Sequence, residues 1–420
     1  MAVLAPSRTW IVILCWLAVV FEGFDIVALG ASIPTLLDSQ HVGMTTLDAT
    51  FIATVSLIGV GVGAALIGPV SDRFGRRRPL MASVLVFSLF TLIFPLMPNV
   101  MMLALARLIA GLGLGGCLPV AVTTMQEASA HDAKAHSSTL TMTGYHVGAV
   151  AAAFGALLAG VHWPWIFYAG GAFGLVVLPL MWAKLPETSL HAGPVHAGAA
   201  EAAPAHEKIR ARDVLNRTYL RTTIGLWVGA FMGLLLVYGL NTWLPQLMRD
   251  AGYNVASSLV LLLVLNLGAI AGLMIGGKVA DRKGVKGTAL VWFGASAVML
   301  ALLSVKMENQ LLLNAVVLVT GVFVFCSQVL IYAFVGYAYP RRIVASGMGF
   351  VAAVGRLGAI VGPWATGLLV VWGIAYPFGF YFFSLAALLG LLAVALVPKP
   401  QHAEIAEPEA WQEASGHYAE

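Results

Sequence analysis

Twelve long apolar runs, at 10–37, 48–71, 79–97, 101–125, 137–161, 163–184, 221–248, 256–279, 287–305, 310–338, 344–372 and 375–397, leave this chain few folds to choose from. A segment needs about 20 mostly apolar residues to cross roughly 30 Å of hydrocarbon, and every run is near that length or longer. Inside lipid each backbone N–H and C=O must be satisfied within its own segment, so the runs are expected to be helices. Only 10% of the 420 residues are charged while 60% are hydrophobic; a soluble domain carries about 25% charged residues. Such a chain has too little charge to coat a surface facing water on all sides. That excludes a soluble enzyme, a disordered chain and a nucleic-acid binder. The first run holds Glu22 and Asp25 and has no small-residue cleavage site, so it reads as a retained span rather than a secretory signal.

The placement of charge sets the expected topology. Of 23 Lys and Arg residues, Arg107 and Arg356 fall inside runs, Arg249 and Lys306 lie in loops on one side, and all the rest lie on the other. This asymmetry puts both termini in the cytoplasm of a cell inner or plasma membrane. Residues 185–220 interrupt the pattern with a polar, Ala-rich stretch carrying Pro194 and Pro204. The organisation expected is an N-terminal six-helix bundle (1–184), a cytoplasmic linker (185–220), a C-terminal six-helix bundle (221–397) and a disordered tail (398–420). Residues Glu207 to Asn216 suit a short interfacial helix. His191, His196 and His206 are scattered through the linker and read as solvated side chains, not metal ligands. Cys15, Cys117 and Cys326 sit in separate apolar runs and make no disulfide or zinc framework. No cofactor or metal site is expected, and the chain is expected to work as a monomer.

The two halves echo one another. GPVSDRFGRR after the second run matches GGKVADRKGVK after the eighth, SIPTLL in the first matches WLPQLM in the seventh, and HVGA in the fifth matches RLGA in the eleventh. These place Asp72 opposite Asp281, Pro34 opposite Pro245 and His146 opposite Arg356, each pair about 210 residues apart, the mark of a duplicated transporter. GPVSDRFGRR resembles the loop signature G-x-x-x-D-R-x-G-R-R of the major facilitator superfamily, and RLIAGLGLG in the fourth run resembles its R-x-x-x-G-x-x-x-G element. EGFD in the first run, NTWLP in the seventh and GRLGAIVGP in the eleventh are similar to the aromatic acid:proton symporter family. That family's first span usually reads D-G-x-D; here Glu22 replaces the first acid, which keeps a carboxylate on a longer arm. The resemblance implies twelve transmembrane helices in two pseudo-symmetric six-helix bundles, all-α, with no enzymatic activity.

An ionisable group at bilayer depth is costly and is a functional candidate by default. Glu22 and Asp25 are three apart on one helix face. Asp25 lies about 22 Å up its helix from the cytoplasmic end and Arg107 about 9 Å down from the opposite end, so the two reach similar depth. Glu22, Asp25 and Arg107 therefore form either a proton switch or a fixed structural pair. Arg356, about 18 Å up its span, offers a planar fork suited to a carboxylate or serves packing. His146 is expected to face it across the centre, because the repeat makes them equivalents. Tyr238 and Asn241 join them as substrate candidates, with Phe24, Tyr145, Phe325, Trp364 and Gln328 as further rings and amides. In the loop signatures Asp72, Arg73, Gly75, Arg76, Arg77, Asp281 and Arg282 are expected to gate by pairing or capping helix ends across the seam between halves. Gly111, Gly115, Gly116, Gly358 and Gly362 allow close helix approach.

Together these imply proton-coupled uptake of a small aromatic carboxylate of the benzoate or hydroxybenzoate type. A proton-coupled exporter and an importer of another organic acid are the alternatives. The family's exporters usually show G-x-x-x-G-P in span 5, and GYHVGAVAAAFG lacks that proline.

Overall fold

A computed structural model describes residues 8–127, 134–185, 215–339 and 343–398. Among the described residues, twelve helices are long and apolar enough to cross a membrane: α1 (Arg8–Asp38), α2 (Thr46–Phe74), α3 (Arg77–Ile93), α4 (Val100–Glu127), α5 (Lys134–Ala159), α6 (Pro164–Lys184), α7 (Leu220–Asp250), α8 (Val255–Lys283), α9 (Val285–Leu302), α10 (Gln310–Ala338), α11 (Val344–Val371) and α12 (Ala375–Leu396). Each matches one apolar run to within a few residues. Residues 186–214 of the expected linker and 399–420 of the tail fall outside the described residues, and with them most of 207–216 and the three linker histidines. Large apolar side chains such as Leu66, Leu158, Val176, Leu311 and Leu396 are exposed, the outer coat of a protein whose solvent is lipid.

Helix ends are defined by local chemistry that repeats between halves. Thr45 opens α2 with a capping box, its hydroxyl accepting from Asp48 N while the Asp48 carboxylate accepts from Thr45 N at 2.9 Å. Asn254 opens α8 with a side-chain N-cap, accepting from Ser257 N at 2.7 Å, without the reciprocal bond of a capping box. At the other end, α2 stops at Gly75 (φ 81) and α8 at Gly284 (φ 86), the glycines of the two DRxG sequences. Only glycine adopts that left-handed backbone without a Cβ penalty, so each signature forces a tight exit into the next helix.

The packing is duplicated as well. α1 packs on α5 as α7 does on α11, α2 on α4 as α8 on α10, and α3 on α6 as α9 on α12. The tightest crossings depend on missing side chains. A Cβ on Gly148 would lie 1.9 Å from the Val20 carbonyl oxygen, and one on Gly358, its repeat equivalent, 2.0 Å from that of Phe231. Backbone against backbone at that distance admits glycine alone, as expected for helices associating in lipid by close contact.

The halves meet through α1 and α7, α5 and α8, and α2 and α11. Odd-numbered helices run away from the end where α1 begins and α12 ends, and the halves touch near the far end. There Gly30 packs on the backbone of Asn241 and Thr242, and Gly367 on Thr50. Arg249 of α7 forms a salt bridge with Asp38 of α1 at 2.8 Å and donates to the Pro34 carbonyl at 3.2 Å. Asp38 and Arg249 hold corresponding places in the repeat, so opposite charges at equivalent positions pair with each other across the pseudo-twofold axis.

Candidate functional site

Two clusters of polar groups occupy the middle of the bundle, both anchored on α1. In the first, Arg107 of α4 reaches Asp25 in a salt bridge of 2.9 Å and a second contact of 3.1 Å. The Thr91 hydroxyl of α3 donates to the same carboxylate at 2.5 Å. Arg107 is 0% and Asp25 2% exposed, and the guanidinium lies 5.7 Å from the Phe94 ring centroid. The pair expected from matching depth is thus present. Removing one partner of a buried pair strands the other charge, which costs about 3–5 kcal/mol. Asp25→Asn is therefore expected to lower the thermal unfolding midpoint in detergent markedly; an unchanged midpoint would show that the pair carries little stability.

Glu22 sits one turn earlier and does not share that arginine. It is fully buried, and neither carboxylate oxygen has a hydrogen-bond partner among the described residues. The cation acting on it is Arg356 of α11. The two acids of α1 have thus divided: Asp25 is locked to Arg107, and Glu22 faces the second cluster. An unpaired carboxylate away from water is expensive, and taking up a proton removes the charge that makes it so.

The second cluster surrounds Arg356. Its guanidinium donates to the Tyr238 hydroxyl at 3.1 Å, and Tyr145, Glu22 and Tyr332 lie within its electrostatic reach. Among the described residues no carboxylate comes within salt-bridge distance of it. The fork is held by a neutral phenol and keeps its positive charge unneutralised by a close partner. His146 does not complete this cluster as the repeat suggested. Its Nδ1 meets Asn266 Oδ1 of α8 at 3.4 Å, and its ring stands edge-on to Phe325 at 5.0 Å. Asn266 in turn donates to Asn241 Oδ1 at 2.9 Å. Equivalence in a repeat places two residues at like positions on different helices; it does not turn them toward each other.

Two polar atoms around these groups, Tyr145 Oη and Asn241 Nδ2, are buried without a hydrogen-bond partner among the described residues. Of the five candidate rings, Tyr145, Tyr238 and Phe325 belong to the centre. Phe24 instead packs against Gly170 of α6, and Trp364 is 47% exposed. Thr91, Asn266 and Tyr332 were not singled out from sequence. Thr91 and Asn266 each stand as polar residues within an apolar run, which was the available signal, but a neutral polar residue hardly disturbs the run.

The loop signatures form a third site, at the end where α1 begins and α12 ends. Arg77 donates to the Trp182 carbonyl at the end of α6, with its guanidinium 4.5 Å from the Trp182 ring centroid. Lys286, its equivalent in the second half, donates to the Ala395 and Val397 carbonyls at the end of α12. Both satisfy the orphan carbonyls of a helix C-terminus, and both do so inside their own half. Arg76 donates to Ser71 Oγ at 2.8 Å, and Arg73 lies beside Phe74. Asp281 and Arg282 are exposed. The Asp72 side chain lies outside the described set.

The family model described as Major Facilitator Superfamily matches residues 15–342 and 268–417. The chain is 31% identical to the gentisate transporter of Corynebacterium glutamicum, over 95% of this chain and 89% of that one. It is 28% identical to the benzoate transport protein of Acinetobacter baylyi, over 94% and 90% respectively. The crystal structure of a D-xylose-proton symporter superposes with a TM-score of 0.75 at 14% identity, covering 94% of this chain and 98% of that one.

Proposed function

The chain belongs to the major facilitator superfamily, a family of membrane transporters and not enzymes, and from that premise we propose that it imports a small aromatic carboxylate together with protons by alternating access of its two halves. The observation that carries the reading is Arg356, a mid-helix guanidinium held by Tyr238 with no carboxylate at salt-bridge distance among the described residues. It offers a bidentate fork to an anion, beside rings that can stack on an aromatic face. The benzoate and gentisate carriers among its relatives support this substrate class.

Glu22 is the proton carrier in this reading, and the Asp25–Arg107 pair fixes α1 to α4. Coupling makes energetic sense. Importing a monoanion against an inside-negative potential costs about 2.3 kcal/mol per 100 mV. One proton cancels that charge, and a pH difference of one unit adds about 1.4 kcal/mol of drive. With the basic end in the cytoplasm, the Asp38–Arg249 contact closes the external end and parts when the carrier opens outward. The loop signatures fasten the third helix to the sixth in each half, so that each half turns as one body.

A competition panel tests the substrate class. In vesicles containing the protein, benzoate, hydroxybenzoate and protocatechuate are expected to displace labelled hydroxybenzoate, while acetate and succinate do not. Equal displacement by the aliphatic acids would remove the aromatic reading.

A further inference from the structure

One buried amide at the centre has its orientation dictated by its neighbours, and it ends in a free donor. Asn266 Nδ2 donates to the Leu262 carbonyl at 3.1 Å and to Asn241 Oδ1 at 2.9 Å. A backbone carbonyl can only accept, so it keeps the Asn266 nitrogen on its side. Asn266 Oδ1 is thereby turned to His146 Nδ1, and that ring nitrogen carries the hydrogen. Asn241 must then give its oxygen to Asn266, which leaves its Nδ2 pointing elsewhere. That atom is buried and has no partner among the described residues, on a side chain that is 0% exposed. Buried polar groups are rarely left unpaired, and an exception calls for a missing acceptor.

The location of the donor indicates which acceptor. Asn241 lies three residues beyond Tyr238 on α7, about 4.5 Å along the helix and on nearly the same face. Tyr238 holds Arg356. If Arg356 takes the carboxylate of a substituted benzoate, an oxygen on the ring falls about a helical turn away, at the level of the Asn241 amide.

We propose that Asn241 Nδ2 is a donor-only reader of a ring oxygen on the substrate, and that Asn266 is the positioning residue that sets its polarity. This rests on the aromatic-acid reading above. A donor-only reader needs an oxygen lone pair and ignores whether that oxygen bears hydrogen. It accepts a hydroxyl or a methoxy group alike and gives no advantage to an unsubstituted ring.

Competition binding to the purified full chain tests this, using benzoate, its 3- and 4-hydroxy derivatives and the matching methoxy compounds against labelled hydroxybenzoate. In the wild type, the hydroxy and methoxy compounds at the favoured position are each expected to outcompete benzoate by about tenfold. Asn241→Leu brings all three within about twofold of one another. Asn266→Asp is the sharper variant. A carboxylate there has no N–H to give, so it draws the Asn241 nitrogen inward and turns Oδ1 to the substrate. The hydroxy compound can donate to that oxygen and keeps its affinity, whereas the methoxy compound falls by about tenfold. The proposal is overturned if the wild type rejects methoxy while favouring hydroxy, if Asn241→Leu keeps the preference, or if Asn266→Asp weakens both compounds equally. The wild-type comparison needs no variant to fold. Binding of benzoate with no advantage from a ring oxygen overturns this proposal alone. Failure of every acid to bind, benzoate included, overturns the transport reading and this one with it.

Discussion

Arg356→Lys is expected to lose most uptake, with the apparent affinity for the aromatic acid falling by about tenfold or more. Lysine keeps the positive charge, so a purely electrostatic role would survive the change. What disappears is the planar fork that meets both oxygens of a carboxylate at once, together with the N–H that Tyr238 accepts. An ammonium on a flexible stem is a point charge and cannot reproduce that geometry. A structural arginine predicts the opposite: full transport with a lowered unfolding temperature. Measuring uptake and thermal stability on the same preparation separates the two.

Glu22→Gln is expected to uncouple the carrier. The amide keeps the size of the side chain and removes its ability to exchange a proton. Accumulation driven by an acid-outside gradient is expected to fall by about tenfold or more, because a one-unit pH difference alone supplies about 1.4 kcal/mol per proton. Exchange of external for internal substrate, which needs no net proton movement, is expected to continue. Because Glu22 has no hydrogen-bond partner among the described residues, the change breaks no hydrogen bond, and folding should survive it. Asp25→Asn differs here, since it leaves Arg107 buried beside a neutral amide. If Glu22→Gln accumulates substrate as the wild type does, the proton travels by another group.

Much of this was legible in the sequence because lipid imposes a strict pattern. All twelve helices and the duplicated halves follow from apolar length and the repeat. Depth along two helices also made the Asp25–Arg107 pair possible, and the structure forms it. Depth, however, gives height and not direction. It placed Glu22 near Arg107 as well, while the cation whose charge reaches Glu22 is Arg356. The same gap separated His146 from its partner on α8. The loop signatures showed which residues recur but not what they touch; Arg77 and Lys286 cap the ends of α6 and α12 within their own halves. Asn266 stayed hidden because a single neutral amide barely lowers the hydropathy of its run, although it organises the polar centre.

The most direct test is accumulation in sealed vesicles containing only the purified protein. With the outside acidified and the inside made negative by a potassium diffusion potential, labelled hydroxybenzoate is expected to concentrate inside above its equilibrium distribution. Adding a protonophore should collapse that gradient. Concentration that ignores both the pH difference and the protonophore, or mere equilibration under the full gradient, would contradict proton-coupled import.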